Sequence, residues 1–132
     1  MKSKFSFAIF FIFAEFISAQ PTFTEHAIST SADGASSVYA ADVDADGDLD
    51  VLSASYGDDK IAWYENDGSE SFTEHVISTS ADGAYSVHAA DVDADGDMDV
   101  LSASRFDNKI AWYENQDSAI DWQIPDVSGT GY

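Results

Sequence analysis

The stretch DVDADGDLD occupies residues 42–50, and it returns with one change as DVDADGDMD at residues 91–99. Both stretches belong to a longer duplication, because residues 23–66 align with residues 72–115 at a constant offset of 49 positions. The aligned segments are identical except at residues 27, 36, 39, 49, 56, 57 and 59 and their counterparts. A repeat of this length indicates two equivalent structural units in tandem.

Each repeat is predicted to form four short strands. The segment KIAWYEN (60–66) is rich in the β-branched and aromatic residues that fit a pleated sheet, and Ser-Ala-Asp-Gly (31–34) is typical of a turn. The strand candidates of the first repeat are residues 23–29, 37–41, 50–55 and 60–66. No helical periodicity follows the first twenty residues. The sequence therefore predicts an all-β fold of two four-stranded blades of a β-propeller-like repeat, an incomplete propeller.

The N-terminal segment is predicted to be a signal peptide. Lys2 and Lys4 precede an apolar run that is too short to cross a bilayer, which needs about 20 residues. Ile17-Ser18-Ala19 supplies a cleavage region with small residues, so we expect cleavage after Ala19. No other stretch is apolar enough to span a membrane. We therefore expect a secreted or cell-surface protein with no membrane span after the signal is removed.

The predicted organisation follows from the signal and the repeat. It comprises a signal peptide at 1–19, a first repeat at 20–71, a second repeat at 72–115 and a tail at 116–132. The tail is interpreted as degenerate or as the start of a third repeat, because Trp122-Gln123-Ile124 matches the repeat only weakly. Two blades leave open strand edges. Either the chain is a fragment of a longer propeller, which we favour because the tail degenerates, or copies assemble as a homo-oligomer.

Composition excludes several classes of function. The chain has 132 residues, of which 25 are acidic and 5 basic, with a formal net charge of −20. Nucleic acid is not an expected partner, because its phosphates require Lys and Arg. The absence of cysteine excludes disulfides and thiolate metal sites. A content of 14% aromatic residues argues against disorder despite the high charge.

The two acidic loops have the spacing of a cation site. Carboxylates at loop positions 1, 3 and 5 converge when the chain curls, and glycine at position 6 permits the turn. Position 7 offers its backbone carbonyl, and position 9 closes the site. These hard oxygen donors favour Ca²⁺ over zinc, copper or magnesium. Without a cation, each close aspartate pair at ~5 Å and an effective dielectric constant of ~20 costs about 3 kcal/mol.

An EF-hand does not explain these loops. It requires a glutamate at position 12, where this chain has Ser53 or Ser102, and it requires flanking helices where this chain has predicted strands. The two loops are therefore interpreted as cation sites between strands, with about two Ca²⁺ per chain.

The unit ADVDADGDLDVLSAS followed by KIAWYENDG resembles an FG-GAP or VCBS-type repeat, the blade of integrin-α-like propellers. The resemblance covers residues 23–115. It implies calcium bound by Asp42, Asp44, Asp46, Asp48 (through its backbone carbonyl) and Asp50, and by Asp91, Asp93, Asp95, Asp97 (through its backbone carbonyl) and Asp99. It also implies a secreted or cell-surface protein acting in adhesion or in ligand or carbohydrate binding.

Three hypotheses for function follow. The first is a calcium-stabilised module for adhesion or interaction with an extracellular protein. The second is a lectin-like module that binds glycans through Trp63-Tyr64 and Trp112-Tyr113, although strand alternation favours packing for these rings. The third is an enzyme, which we do not expect. The chain has no metalloprotease or nucleophile-elbow motif, and His26 and His75 are repeated strand residues rather than a unique base.

Overall fold

The computed structural model describes residues 20–116, so the predicted signal peptide and residues 117–132 of the predicted tail lie outside the described part. The described residues form seven strands: β1 (Ala35–Ala41), β2 (Asp50–Ser55), β3 (Lys60–Asn66), β4 (Phe72–Ser78), β5 (Ala84–Ala90), β6 (Asp99–Ser104) and β7 (Lys109–Tyr113). The predicted all-β class is confirmed. Within residues 20–116, no helix is long and apolar enough to cross a membrane.

The strands form two antiparallel sheets. In the first sheet β1, β2, β3 and β4 lie side by side in chain order, and in the second sheet β5, β6 and β7 do the same. Asp59 and Asn108 occupy equivalent places in the β2–β3 and β6–β7 turns, with φ of 54° and 52°. After glycine, Asn and Asp tolerate this left-handed conformation most readily, so their exchange between the repeats leaves the turn unchanged.

Two expectations about the strands are corrected. The segment 23–29 forms no strand, whereas its near-identical counterpart 72–78 is β4 and pairs with β3. The first sheet therefore contains strands from both sequence repeats, and the second sheet has three strands within the described residues instead of four. The physical reason is that β4 follows a strand edge that can accept its backbone hydrogen bonds, and no described strand precedes residues 23–29.

The core lies between the two sheets. Leu52 and Ile61 of the first sheet are fully buried, and they belong to one apolar cluster with Val87, Ala89 and Val100 of the second sheet. Alternation along β2 and β3 places Leu52 and Ile61 on the same face, as their register requires. The acidic loops connect β1 to β2 and β5 to β6, so each loop is anchored at both ends by strands of this packed core.

Candidate metal centres

Each acidic loop brings three carboxylates together. In the first loop, Asp42, Asp44 and Asp50 each place one oxygen within 4.8 Å of the others. In the second loop, Asp91, Asp93 and Asp99 make the same group. These residues occupy loop positions 1, 3 and 9, which are far enough apart in sequence that only a curled backbone can join them.

Backbone hydrogen bonds to the aspartates hold the curl. The Gly47 N–H donates to Asp42 Oδ2 at 3.1 Å, and the Asp46 N–H donates to Asp44 Oδ1 at 3.2 Å. Gly47 has φ of 100°, and a Cβ built there would meet no atom within 4 Å. Glycine is therefore required by the backbone conformation rather than by a lack of space. The second loop repeats these bonds, with Gly96 N–H donating to Asp91 Oδ2 at 3.2 Å.

Asp50 anchors the first loop to the sheet. Its carboxylate is buried, and it accepts the N–H of Val43 at 3.0 Å on one oxygen and the N–H of Asn66 at 2.8 Å on the other. Asn66 is the last residue of β3, so this single side chain connects the loop to a strand that is remote in sequence. Its hydrogen bonds also fix the direction in which the carboxylate faces the rest of the loop.

Asp99 makes the same anchor in the second loop. It accepts the N–H of Val92 at 2.9 Å and the N–H of Asn115 at 2.8 Å. The Asn115 N–H is the main cause that holds the pKa of Asp99 below its usual value, with Val92 and the Trp112 side chain adding to it. The carboxylate is therefore charged at neutral pH although the residue is buried.

The pKa of the aspartate at the third position of each loop is shifted upward, in the direction opposite to that of Asp99. Loss of hydration raises the pKa of Asp44, and the carboxylates of Asp46, Asp50 and Glu65 raise it further. The pKa of Asp93 is raised for the same first cause, with the equivalent acidic neighbours contributing. A site that concentrates negative charge in this way attracts a cation.

One oxygen of the first site lacks a hydrogen-bond partner. Asp42 Oδ1 is buried, yet no donor reaches it. Leaving a buried polar atom unpaired costs on the order of 1–3 kcal/mol, more for a charged group. A cation among the three carboxylates would satisfy this oxygen, and the donor set is all oxygen, as calcium requires. The residues present therefore fit the metal that the loop spacing indicates.

The other predicted ligands are placed differently. Asp46 Oδ1 accepts the Asp48 N–H at 2.9 Å, and Asp95 Oδ1 accepts the Asp97 N–H at 3.0 Å. The carboxylate of Asp48 points toward Gly68, where a Cβ would be too close to fit. None of these four side chains belongs to the three-carboxylate groups. Their roles as ligands, including the backbone carbonyls of Asp48 and Asp97, stay predictions.

Sequence reasoning missed the residues that reach the sites from other strands. Glu65 and Glu114 add negative charge to the third position of each loop, and the backbone of Asn66 and Asn115 supports the ninth. The sequence Tyr-Glu-Asn occurs at the end of β3 and at the end of β7 and just beyond it, and this repeat was the available signal. It could not be distinguished from the rest of the duplication, because nearly every position is repeated.

The aromatic pairs are also placed by the strands. Tyr64 is buried, and Trp63 is half-buried with its ring stacked on His75 at a centroid distance of 4.6 Å. The equivalent Trp112 is 44% exposed. A cavity of about 200 Å³ between the sheets is lined by both apolar and acidic residues, among them Asp44, Trp63 and Tyr113.

Comparison with known families agrees with the geometry. Residues 42–102 match the family model of the FG-GAP-like repeat. The matched range begins at the first aspartate of the first loop and contains both three-carboxylate groups. The comparison with curated proteins returns no match. The resemblance to an FG-GAP-type repeat is thereby confirmed over these residues.

Proposed function

We propose that this FG-GAP-like repeat chain is a secreted calcium-binding module of the FG-GAP/VCBS type, which serves adhesion or interaction with proteins or ligands. Calcium has a structural role. The observation that carries the proposal is the three-carboxylate group that recurs in both loops, together with the buried and unpartnered Asp42 Oδ1. FG-GAP repeats commonly bind calcium and are typically extracellular and non-catalytic, which supports the same assignment.

The structural role follows from the connections of each site. Asp50 takes part in the three-carboxylate group and also accepts hydrogen bonds from the loop and from the end of β3. A cation held by Asp42, Asp44 and Asp50 would therefore join the β1–β2 connection to β3. In the second sheet, Asp99 makes the same connection to Asn115, which lies two residues after the end of β7. No catalytic step is part of the proposal.

Calorimetric titration of the purified protein with calcium chloride tests the assignment. We expect two sites of similar affinity and weaker binding of magnesium, which keeps its own waters. Asp44→Ala and Asp93→Ala should each remove one site and leave the other, because alanine has no side-chain oxygen ligand. Asp82→Asn is the matched control, because it removes the same charge from an exposed position outside both loops. Equal stoichiometry in all four proteins would refute the assignment of these residues.

A carbohydrate-binding module is the second candidate. The exposure of Trp112 favours it, since an exposed indole face can stack on a sugar ring while Trp63 is occupied by His75. A glycan array that shows binding lost in Trp112→Ala and retained in Trp63→Ala, with both variants folded, would support this function. Equal loss in both variants would indicate a packing effect.

A further inference from the structure

We propose that copies of this chain associate head to tail, with residues 23–29 of one copy added as a fourth strand to β7 of another. This goes beyond the proposed function and does not depend on it. In the first sheet, β3 has β4 on its outer edge. In the second sheet, β7 repeats the sequence of β3 from Lys109 to Tyr113, and no described strand pairs with its outer edge.

The chain carries a segment whose sequence matches the outer edge of β7. FTEHAIS at residues 23–29 differs from β4, FTEHVIS, only by Ala27 in place of Val76. Although residues 23–29 lie in the described part of the chain, they form no strand, and Phe23 is 93% exposed. Among the described residues, each copy therefore presents a strand sequence that pairs with no edge, and an edge that pairs with no strand.

The side-chain contacts of the β3–β4 pair can all be repeated between copies. In the first sheet, Lys60 Nζ lies 2.8 Å from Glu74 Oε1, and the equivalent residues are Lys109 and Glu25. His75 Nε2 lies 2.7 Å from Glu65 Oε2. The equivalent residues for this contact and for the Trp63–His75 stack are His26, Glu114 and Trp112. Charge and ring partners are thus complementary at every one of these positions.

The exposed faces of the two sheets carry apolar residues whose counterparts in the other sheet are buried. Ile61 of the first sheet is 0% exposed because the second sheet covers it, whereas its counterpart Ile110 is 85% exposed. Val87 of the second sheet is 4% exposed because the first sheet covers it, whereas its counterpart Val38 is 70% exposed. The second sheet of one copy can therefore pack on the first sheet of the next copy as the two sheets pack within one chain.

The position of the N-terminal segment agrees with this packing. Ile28 lines a cavity with Val51 and Tyr64 on the exposed side of the first sheet. Ile77 of β4 lines a cavity with Val100 and Tyr113, which are the counterparts of Val51 and Tyr64. Residues 23–29 thus lie beside the first sheet in the same way as β4 lies beside the second sheet. This is the place that the outer strand of another copy's second sheet would occupy.

The chain's own tail is a poorer match for the β7 edge. In the register of the repeat, Pro125 would take the place of Val76, and proline has no N–H to donate to a strand ladder. Gln123 and Ile124 would replace Glu74 and His75, so the partners of the lysine and of the tryptophan would be lost. These differences favour a second copy over the tail as the occupant of the edge.

Cysteine cross-linking tests the proposed strand pairing, because the natural chain has no cysteine. Ala62 lies opposite Val76 in the β3–β4 pair, and their counterparts are Ala111 and Ala27. Directly opposed residues lie about 4.5–5.5 Å apart between Cα atoms, within the range of a disulfide. Mixing the single variants Ala27→Cys and Ala111→Cys under oxidising conditions should give a mixed disulfide dimer. Thr24→Cys mixed with Ala111→Cys is the off-register control and should not.

Charge exchange provides a second measurement that does not rely on disulfides. By light scattering, the natural protein should have a mass above that of one chain. Glu25→Lys and Lys109→Glu should each lower the mass to one chain, and the double variant should restore the assembly. A natural protein of single-chain mass with no mixed disulfide would overturn the proposal. So would an intramolecular disulfide in a chain carrying Ala111→Cys and Pro125→Cys, which would place the tail on the edge.

Discussion

At the scale of single residues, Asp50 and Asp99 have the largest structural consequence. Each is buried and accepts two backbone N–H groups, one from its own loop and one from an asparagine at the end of β3 or just after β7. Each also faces the carboxylates at loop positions 1 and 3. One side chain in each repeat therefore couples the folding of the sheet to the geometry of the candidate metal centre.

Replacing Asp50 by asparagine should weaken the connection between the first sheet and its acidic loop. An amide can accept only on its oxygen, so one of the two N–H groups would face an NH₂ donor. We expect a loss of about 1–3 kcal/mol in the free energy of unfolding in the absence of calcium, measured by urea denaturation. Asp82→Asn, which is exposed, should leave the free energy unchanged within about 0.5 kcal/mol. Equal stability of the two variants would contradict the anchoring role.

Acidification should weaken calcium binding at these loops. The pKa values of Asp44 and Asp93 are raised above 3.8, mainly by loss of hydration, so both residues gain protons at a higher pH than an ordinary aspartate. Protonation of these two carboxylates stabilises the metal-free fold and competes with the binding of calcium. As the pH falls toward their pKa values, calcium binding should therefore release protons. Calorimetry in buffers of different ionisation enthalpy, repeated as the pH is lowered from about 7 to about 4, measures this release. Binding with no proton release anywhere in this range would argue against the assignment.

At the scale of elements, residues 23–29 and β4 show why part of the fold was predictable and part was not. The predicted strands 50–55 and 60–66 agree with β2 and β3 because both lie next to partners that are close in sequence. FTEHAIS was predicted to be a strand and is not, whereas FTEHVIS is. Strand formation depends on a neighbouring edge, and local propensity contains no information about that edge.

The candidate site divides in the same way. From local spacing, loop positions 1, 3 and 5 were predicted to converge, with position 9 closing the site, and the structure brings positions 1, 3 and 9 together. The aspartate at position 5 lies outside the group, because its carboxylate accepts the N–H of position 7. The contributions of Glu65 and Asn66 depend on the β2–β3 register, which brings the end of β3 beside the loop. Such contacts are non-local, and the loop sequence alone does not indicate them.

Lys60 should make the first sheet sensitive to high pH. The Glu74 carboxylate is the main cause that raises the pKa of Lys60 above 10.5, and Asp58 adds to it. Because the folded-state pKa is raised, the stabilisation is fully present below the unfolded value and is lost as pH rises through the folded one. Urea denaturation between about pH 9 and 12 should show this loss in the natural protein. Lys60→Met should remove its share of the loss, and an unaltered pH dependence in that variant would contradict the assignment to Lys60.

At the scale of the whole molecule, the charge of −20 is the dominant property. Much of it lies in two nine-residue loops, where mutual repulsion opposes the compact state. Two divalent cations would change the formal charge from −20 to −16 and would act where the repulsion is concentrated. The acidic loops therefore relate the stability of the fold to the supply of calcium.

Calcium should stabilise the molecule in proportion to its affinity. At a free concentration about 100-fold above Kd, each site should add about 2.7 kcal/mol to the free energy of unfolding, and EDTA should reverse the gain. Sodium chloride at equal ionic strength is the control, because screening alone acts on all surface charges. The Asp44→Ala/Asp93→Ala variant should respond to calcium no more than to sodium. A full calcium response in that variant would place the stabilising ions elsewhere.

The two loops are proposed to bind calcium in equivalent positions. A crystal structure of the protein grown with calcium, with anomalous scattering to locate the ions, tests this proposal most directly. We expect two anomalous peaks, one among Asp42, Asp44 and Asp50 and one among Asp91, Asp93 and Asp99. Two ordered loops without anomalous density, or calcium bound only at other residues, would contradict it.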